Sequence, residues 1–130
     1  MKNLLLVMIM GFWCSSAWAT EIDAGKACLG RPDGKQKMKD ESWSYKYSCK
    51  NGKLDGVVIT IHKMSGELTS ETPFVDGKRN GIQKNYRQEN LESELPYEND
   101  LLHGVAKMYE GGRLVSTPTY KKGICVSGCN

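Results

Sequence analysis

Apolar and polar residues alternate through most of this chain. Val57, Ile59 and Ile61 fall at every second position, and Ile82, Lys84 and Tyr86, then Val105, Lys107 and Tyr109, fall in the same places further on. A second run follows each time: Leu68, Ser70, Thr72 and Phe74; Leu91, Ser93, Leu95 and Tyr97; Leu114, Ser116, Pro118 and Tyr120. A period of two is the pattern of an extended strand, since successive side chains point to opposite faces of a sheet. The reading is an all-β chain of short antiparallel strands, each pair with one greasy face and one polar face.

The runs form a repeat. Leu68, Leu91 and Leu114 are 23 residues apart, as are Phe74, Tyr97 and Tyr120. Gly56, Gly81 and Gly104 form another column, as do Ile61, Tyr86 and Tyr109, with two extra residues in the first unit. Fixed-period similarity marks a repeat architecture in which each unit buries its core only against neighbours. Asp55, Asn80 and His103 precede the column glycines and tolerate positive φ, which predicts type I′ hairpins at Asp55-Gly56, Asn80-Gly81 and His103-Gly104. A phosphate-cradling loop would open a helix, whereas each of these glycines opens an alternating strand. Ser65-Gly66 and Gly111-Gly112 read as further turns, with a degenerate turn at Gln88-Glu89-Asn90. Asp100 takes the place held by Gly52, Gly77 and Gly123, and Pro73, Pro96 and Pro118 predict sheet edges or strand exits.

The segments NGKLDG…GEL…PF, DGKRNG…NL…PY and NDLLHG…GRL…TY, within residues 47–123, resemble the MORN-variant repeat of bacterial proteins often labelled YwqK-family antitoxins. The resemblance implies an extended antiparallel sheet of stacked hairpins with no shared catalytic residues, and it suggests an antitoxin-like or immunity-like role.

Composition adds a compartment. Lys2, the apolar run Leu4 to Trp13 and Ala17-Trp18-Ala19 read as a secretory signal peptide over residues 1–19, too short to span a bilayer. Cys14 falls within it, and Phe12 and Trp13 stand where a lipoprotein site needs small residues. The remaining chain holds four cysteines, and an even count in an exported chain favours two bridges among Cys28, Cys49, Cys125 and Cys129. A Cys28–Cys49 bridge would pin the front segment on the first hairpin and Cys125–Cys129 would close a ring after the last, while two other connectivities stay open. The organisation is a basic N-terminal cap over residues 20–46, three hairpin repeats and the start of a fourth over 47–123, and a cysteine-containing cap over 124–130.

Charge is unevenly placed. Eight basic residues stand against three acids between Lys26 and Lys53, whereas acids predominate between Met64 and Glu110. In KQKMKDESWSYKYSCK, Lys35, Lys37 and Lys39 precede Trp43, Tyr45 and Tyr47, whose alternation predicts a strand with one aromatic face that leaves the lysines free. In an exported chain this surface suits a protein, anionic lipid or glycan rather than nucleic acid. With the column Phe74, Tyr97 and Tyr120, Lys35, Lys37, Lys39 and Trp43 form the candidate binding surface. CVSGC at Cys125–Cys129 has three intervening residues where thioredoxin-type sites have two, which favours a structural bridge over redox or zinc chemistry. His62 and His103 lack a second ligand at usable spacing, and Glu92 and Glu94 read as a solvated strand face. The function expected is a non-enzymatic binding module without a cofactor, engaging a protein in the bacterial envelope, periplasmic or secreted. The alternatives are binding of anionic lipid or glycan through the basic front, and thiol redox chemistry at the C-terminal pair.

Overall fold

A computed structural model describes residues 22–129, which form antiparallel strands and no helix. The signal-peptide reading, Cys14 included, lies outside the described residues. The described residues open with a turn-rich segment and the hairpin of β1 (Gly34–Lys39) and β2 (Trp43–Lys50). Three comparable units follow. The first is β3 (Lys53–Leu54), β4 (Gly56–His62) and β5 (Leu68–Val75). The second is β6 (Lys78–Arg79), β7 (Gly81–Arg87) and β8 (Asn90–Glu98). The third is β9 (Leu101–Leu102), β10 (Gly104–Val105), β11 (Lys107–Glu110) and β12 (Arg113–Ser116). The chain ends in β13 (Thr119–Lys121) and β14 (Ile124–Ser127).

The main sheet runs β1-β2-β4-β5-β7-β8-β11-β12, with β3, β6 and β9 extending it beside β2, β5 and β8, while β10, β13 and β14 make a smaller second sheet. This is the all-β stack of hairpins that the alternation predicts. Because β2 is continuous from Trp43 to Lys50, the segment 20–46 supplies β1 and half of β2 to the same sheet as the repeats.

The turns read at Gln88-Glu89-Asn90 and Gly111-Gly112 are in place, but those expected at Asp55-Gly56, Asn80-Gly81 and His103-Gly104 are not. Two consecutive positive φ angles occur at Asn51-Gly52 (52°, 74°), Asp76-Gly77 (50°, 79°), Asn99-Asp100 (48°, 69°) and Lys122-Gly123 (48°, 83°), and also at Gln88-Glu89 and Gly111-Gly112. Asp55, Asn80 and His103 do not take positive φ. They begin a bulge instead. Leu54 faces Cys49 while Ile59 faces Lys46, so residues 55–58 oppose only Tyr47 and Ser48. The same two-residue excess recurs between Arg79↔Phe74 and Lys84↔Glu71, and between Leu102↔Tyr97 and Lys107↔Glu94. Asp55, Asn80 and His103 keep their N–H groups bonded to the carbonyls of Ser48, Pro73 and Pro96 at 3.1, 3.0 and 2.9 Å. The glycine that follows bends the chain with φ of 110°, 115° and 116°, a conformation costly for any side chain.

Pro118, between β12 and β13, is at the strand exit expected, but two prolines are corrected with the turns. Pro73 and Pro96 lie inside the interior strands β5 and β8, each opposite a bulge, where the widened ladder has no use for the missing N–H. A Cβ on Gly81 would come within 3.0 Å of Pro73 Cγ, so glycine and proline form one packed joint.

Each unit also hooks onto the next. Gly77, Asp100 and Gly123, the second residues of three turns, donate their N–H groups to the carbonyls of Leu54, Arg79 and Leu102 at 2.8, 3.0 and 2.7 Å. Asp55 and His103 reinforce this contact by accepting from the N–H groups of Asp76 and Lys122.

Register decides which face is buried. Val57 opposes Pro73 and Ile59 opposes Glu71, so the apolar run of β4 lies on the opposite side from Ser70, Thr72 and Phe74. The buried face is therefore Val58 and Thr60 with Ser70, Thr72 and Phe74, continued by Gln83 and Ser93. Gln83 Nε2 donates to Asn85 Oδ1, and Asn85 Nδ2 to Ser93 Oγ, both at 2.9 Å, so most of this buried polarity is paired. The core gathers at the N-terminal end, where Ile22, Ala27, Tyr45, Tyr47, Leu54, Val58 and Phe74 surround the Cys28–Cys49 bridge. Tyr47 keeps its hydroxyl satisfied there by donating to the Ala27 carbonyl at 3.1 Å.

Candidate binding surface

The hairpin β1–β2 separates its side chains cleanly. On β2, Tyr45, Tyr47 and Cys49 point inward and are buried, while Ser44, Lys46, Ser48 and Lys50 point outward. Register places Lys35 opposite Ser48, Lys37 opposite Lys46 and Lys39 opposite Ser44. The outward face of these two strands consists entirely of lysine and serine.

Like charges meet directly on this face. Lys37 faces Lys46, and around the turn Lys50 faces Lys53. Cross-strand partners have Cβ atoms about 5 Å apart, where like charges destabilise a sheet. The nearby acids do not neutralise them. Asp40 closes the β1–β2 turn by accepting from the N–H groups of Ser42 and Trp43 at 2.9 and 2.7 Å and from the Tyr45 hydroxyl at 3.2 Å. The Trp43 N–H bond, more than any other contact, holds the Asp40 carboxyl below its usual pKa. Asp33 accepts from the Asn51 N–H at 2.8 Å. Among the described residues, Lys35, Lys37, Lys39 and Lys46 form no ion pair.

The other residues singled out in the sequence do not join them. Trp43 is half-buried on the inward face, edge-on to His62 with ring centroids 5.2 Å apart. Phe74 is in the core, which removes it from any surface. Tyr97 lies 4.2 Å beneath the Arg79 guanidinium, and Tyr120 lines a cleft of about 330 Å³ with Met108, Pro118 and the Cys125–Cys129 bridge. Phe74 and Tyr97 thus lie on the opposite face of the main sheet from the lysines, and Tyr120 lies on β13 in the second sheet.

Both bridges are the favoured pairs, Cys28–Cys49 and Cys125–Cys129, with Cα atoms 5.7 and 6.0 Å apart. Two intramolecular disulfides point to an oxidising, exported setting. Among the described residues no group of three or more His, Cys, Asp or Glu side chains is placed to hold a metal ion. His62 Nδ1 pairs with Ser65 Oγ at 3.1 Å, and His103 Nδ1 accepts from the Lys122 N–H at 3.2 Å.

Sequence reasoning missed two clamps on the outward face. The hydroxyls of Tyr86 and Tyr109 donate to Glu71 Oε2 and Glu94 Oε2 at 2.9 and 2.8 Å, so Glu94 is held rather than simply solvated. Burial, followed by the Glu71 bond, raises the Tyr86 pKa, and at Tyr109 the Glu94 bond comes first, followed by burial. The signal was present as a recurrent Glu-to-Tyr spacing between equivalent positions of successive units. Glu92, on the same face, pairs with Arg87 at 2.9 Å. Compared with family models, with curated proteins and with solved structures, the chain matches none.

Proposed function

We propose that this chain is an exported, non-enzymatic binding module that engages an acidic protein partner in the bacterial envelope through the lysine face of β1–β2. One observation carries the reading. A sheet that elsewhere alternates the sign of its charges carries exposed lysines there with no counter-charge and with like charges directly opposed. A surface that costs stability in isolation is one that an anionic partner would relieve. The repeat pattern, with its resemblance to MORN-variant chains, supports a stiff scaffold for presenting such a surface, and an immunity-like role would be one use of it.

The test is affinity capture from an envelope fraction with the wild-type protein and with the variant Lys35→Glu/Lys37→Glu/Lys39→Glu/Lys46→Glu, both shown by circular dichroism to be folded. A partner of acidic composition retained by the wild type and lost by the variant is the expected result. Equal retention by both forms would sink the assignment of the lysine face.

The same face supports a second reading, an anionic lipid or glycan surface. Its outward residues include no aromatic ring on which a sugar could stack, which favours phosphate-bearing lipid over glycan. Sedimentation with anionic and with neutral vesicles separates this reading from the first.

A further inference from the structure

The outward face beyond the lysine hairpin carries a second feature, an apolar stripe. Val57, Ile82 and Val105 follow the bulge glycines of successive units and are 50%, 55% and 54% exposed. Val57 opposes Pro73 and Ile82 opposes Pro96, while the joints Gly81–Pro73 and Gly104–Pro96 bring neighbouring units together. The stripe Val57, Pro73, Ile82, Pro96 therefore runs across the main sheet, and Val105, on β10 of the second sheet, continues it past the Gly104–Pro96 joint. Single exposed apolar residues need no explanation, but a contiguous exposed row marks an interaction surface.

Beside it runs a row of charges in the order Glu71, Lys84, Glu94, Lys107, each opposite the next on β5, β7, β8 and β11. This row is its own complement when reversed. If a second copy is laid face to face, with a two-fold axis parallel to the strands between β7 and β8, Lys84 meets Glu94 of the copy and Glu71 meets Lys107 of the copy. The same rotation sets the apolar stripe against itself, Ile82 over Pro96 and Pro73 over Val105. It also leaves β1–β2 of each copy beyond the overlap, because those strands lie at the far end of the sheet order.

We propose that the protein forms a two-fold dimer by face-to-face packing of this outward surface, with the apolar stripe at its centre and the charge row setting the alignment. Two twisted sheets pack aligned at a separation of about 10 Å, and a two-fold interface requires a self-complementary patch of this kind. The dimer displays one lysine hairpin at each end, and it stands independently of what those hairpins bind.

Analytical ultracentrifugation of the full protein over a concentration series is the first measurement, with Ile82→Asp, Lys84→Glu and Glu94→Lys compared after circular dichroism confirms folding. The wild type is expected to show a monomer–dimer equilibrium that Ile82→Asp weakens by at least about tenfold. Lys84→Glu alone sets the new carboxylate against Glu94 of the copy, and Glu94→Lys alone sets two ammonium groups together, so each is expected to be monomeric. An equal mixture of the two restores opposite charges at both contacts and is expected to dimerise. A purely intramolecular role for the row cannot produce recovery on mixing separate chains. Wild-type protein that stays monomeric up to about 1 mM overturns the proposal. So does a dimer indifferent to Ile82→Asp, and so does an outward face whose Ile82→Asp variant loses vesicle binding while the wild type is monomeric.

Discussion

Gln88 and Glu89 sit at φ of 48° and 65°, both in the left-handed region and neither a glycine. The hairpin between β7 and β8 needs that geometry whatever residues supply it, since a two-residue turn of this twist takes positive φ twice. A side chain there costs about 1–2 kcal/mol per residue. Glu89→Gly is therefore expected to raise unfolding free energy by about 1 kcal/mol in urea titration, the unfolded chain's extra freedom offsetting part of the relief. Asp100 makes the contrast. It too holds positive φ, but its Oδ1 accepts from the Arg79 N–H at 2.8 Å and pairs with Arg79 Nε at 3.3 Å. Asp100→Gly exchanges strain for lost contacts and is expected to leave stability within about 0.5 kcal/mol of wild type. An equal gain at both positions would show that the Asp100–Arg79 contact contributes nothing.

Each bulge is an element that ties local conformation to the stacking of units. Gly81 combines a φ of 115° with a Cβ position only 3.0 Å from Pro73 Cγ, so Gly81→Ala is expected to cost about 1–3 kcal/mol and to lower the thermal midpoint accordingly. A midpoint unchanged by this substitution would mean that the joint has room to yield. The existence of the strands and the period of the units were legible because alternation and the columns at Leu68, Leu91 and Leu114 depend on local sequence alone. The turns that join the units were not, because Asn51-Gly52 and Asp55-Gly56 are equally good turn pairs, and only register shows that the first reverses the chain and the second bends it. The buried face was illegible for a related reason: Val57 and Phe74 look like partners, but the pairing aligns Val57 with Pro73, and a one-residue difference sends a side chain to the opposite face. Of the candidate site, the lysines were legible as an exposed set, whereas their separation from Trp43 and Tyr97 depended on which face of β2 the N-terminal segment covers. Asp40 extends the point to pH. Its carboxyl is lowered by bonds to the folded β1–β2 turn, so its contribution is present above the ordinary carboxyl range and is lost as pH falls through the folded value. Amide exchange of Ser42 and Trp43 is expected to quicken relative to the rest of the sheet as pH falls below the ordinary carboxyl range, and Asp40→Asn is expected to abolish that difference.

At the scale of the whole molecule, the proposed binding role sets stability against function on a single surface. The core lies at the N-terminal end under β2, so the lysine hairpin is displayed from the best-packed part of the protein. That packing is what allows Lys37 and Lys46 to be held opposite each other without a counter-ion. Replacing Lys37 with glutamate turns a repulsive cross-strand pair into an attractive one, expected to be worth about 0.5 kcal/mol of added stability at low salt and less as salt screens it. Lysines that serve only to guard an edge strand against pairing with other chains would make Lys37→Glu neutral for partner capture. Lysines that form a binding face require the same variant to be more stable and yet defective in capture. Urea unfolding at low and high salt, run beside capture from the envelope fraction, separates the two cases. A more stable Lys37→Glu protein that still retains its partner would remove β1–β2 as the contact surface. A more stable protein that loses its partner would show that the unbound surface carries an electrostatic strain that the partner relieves.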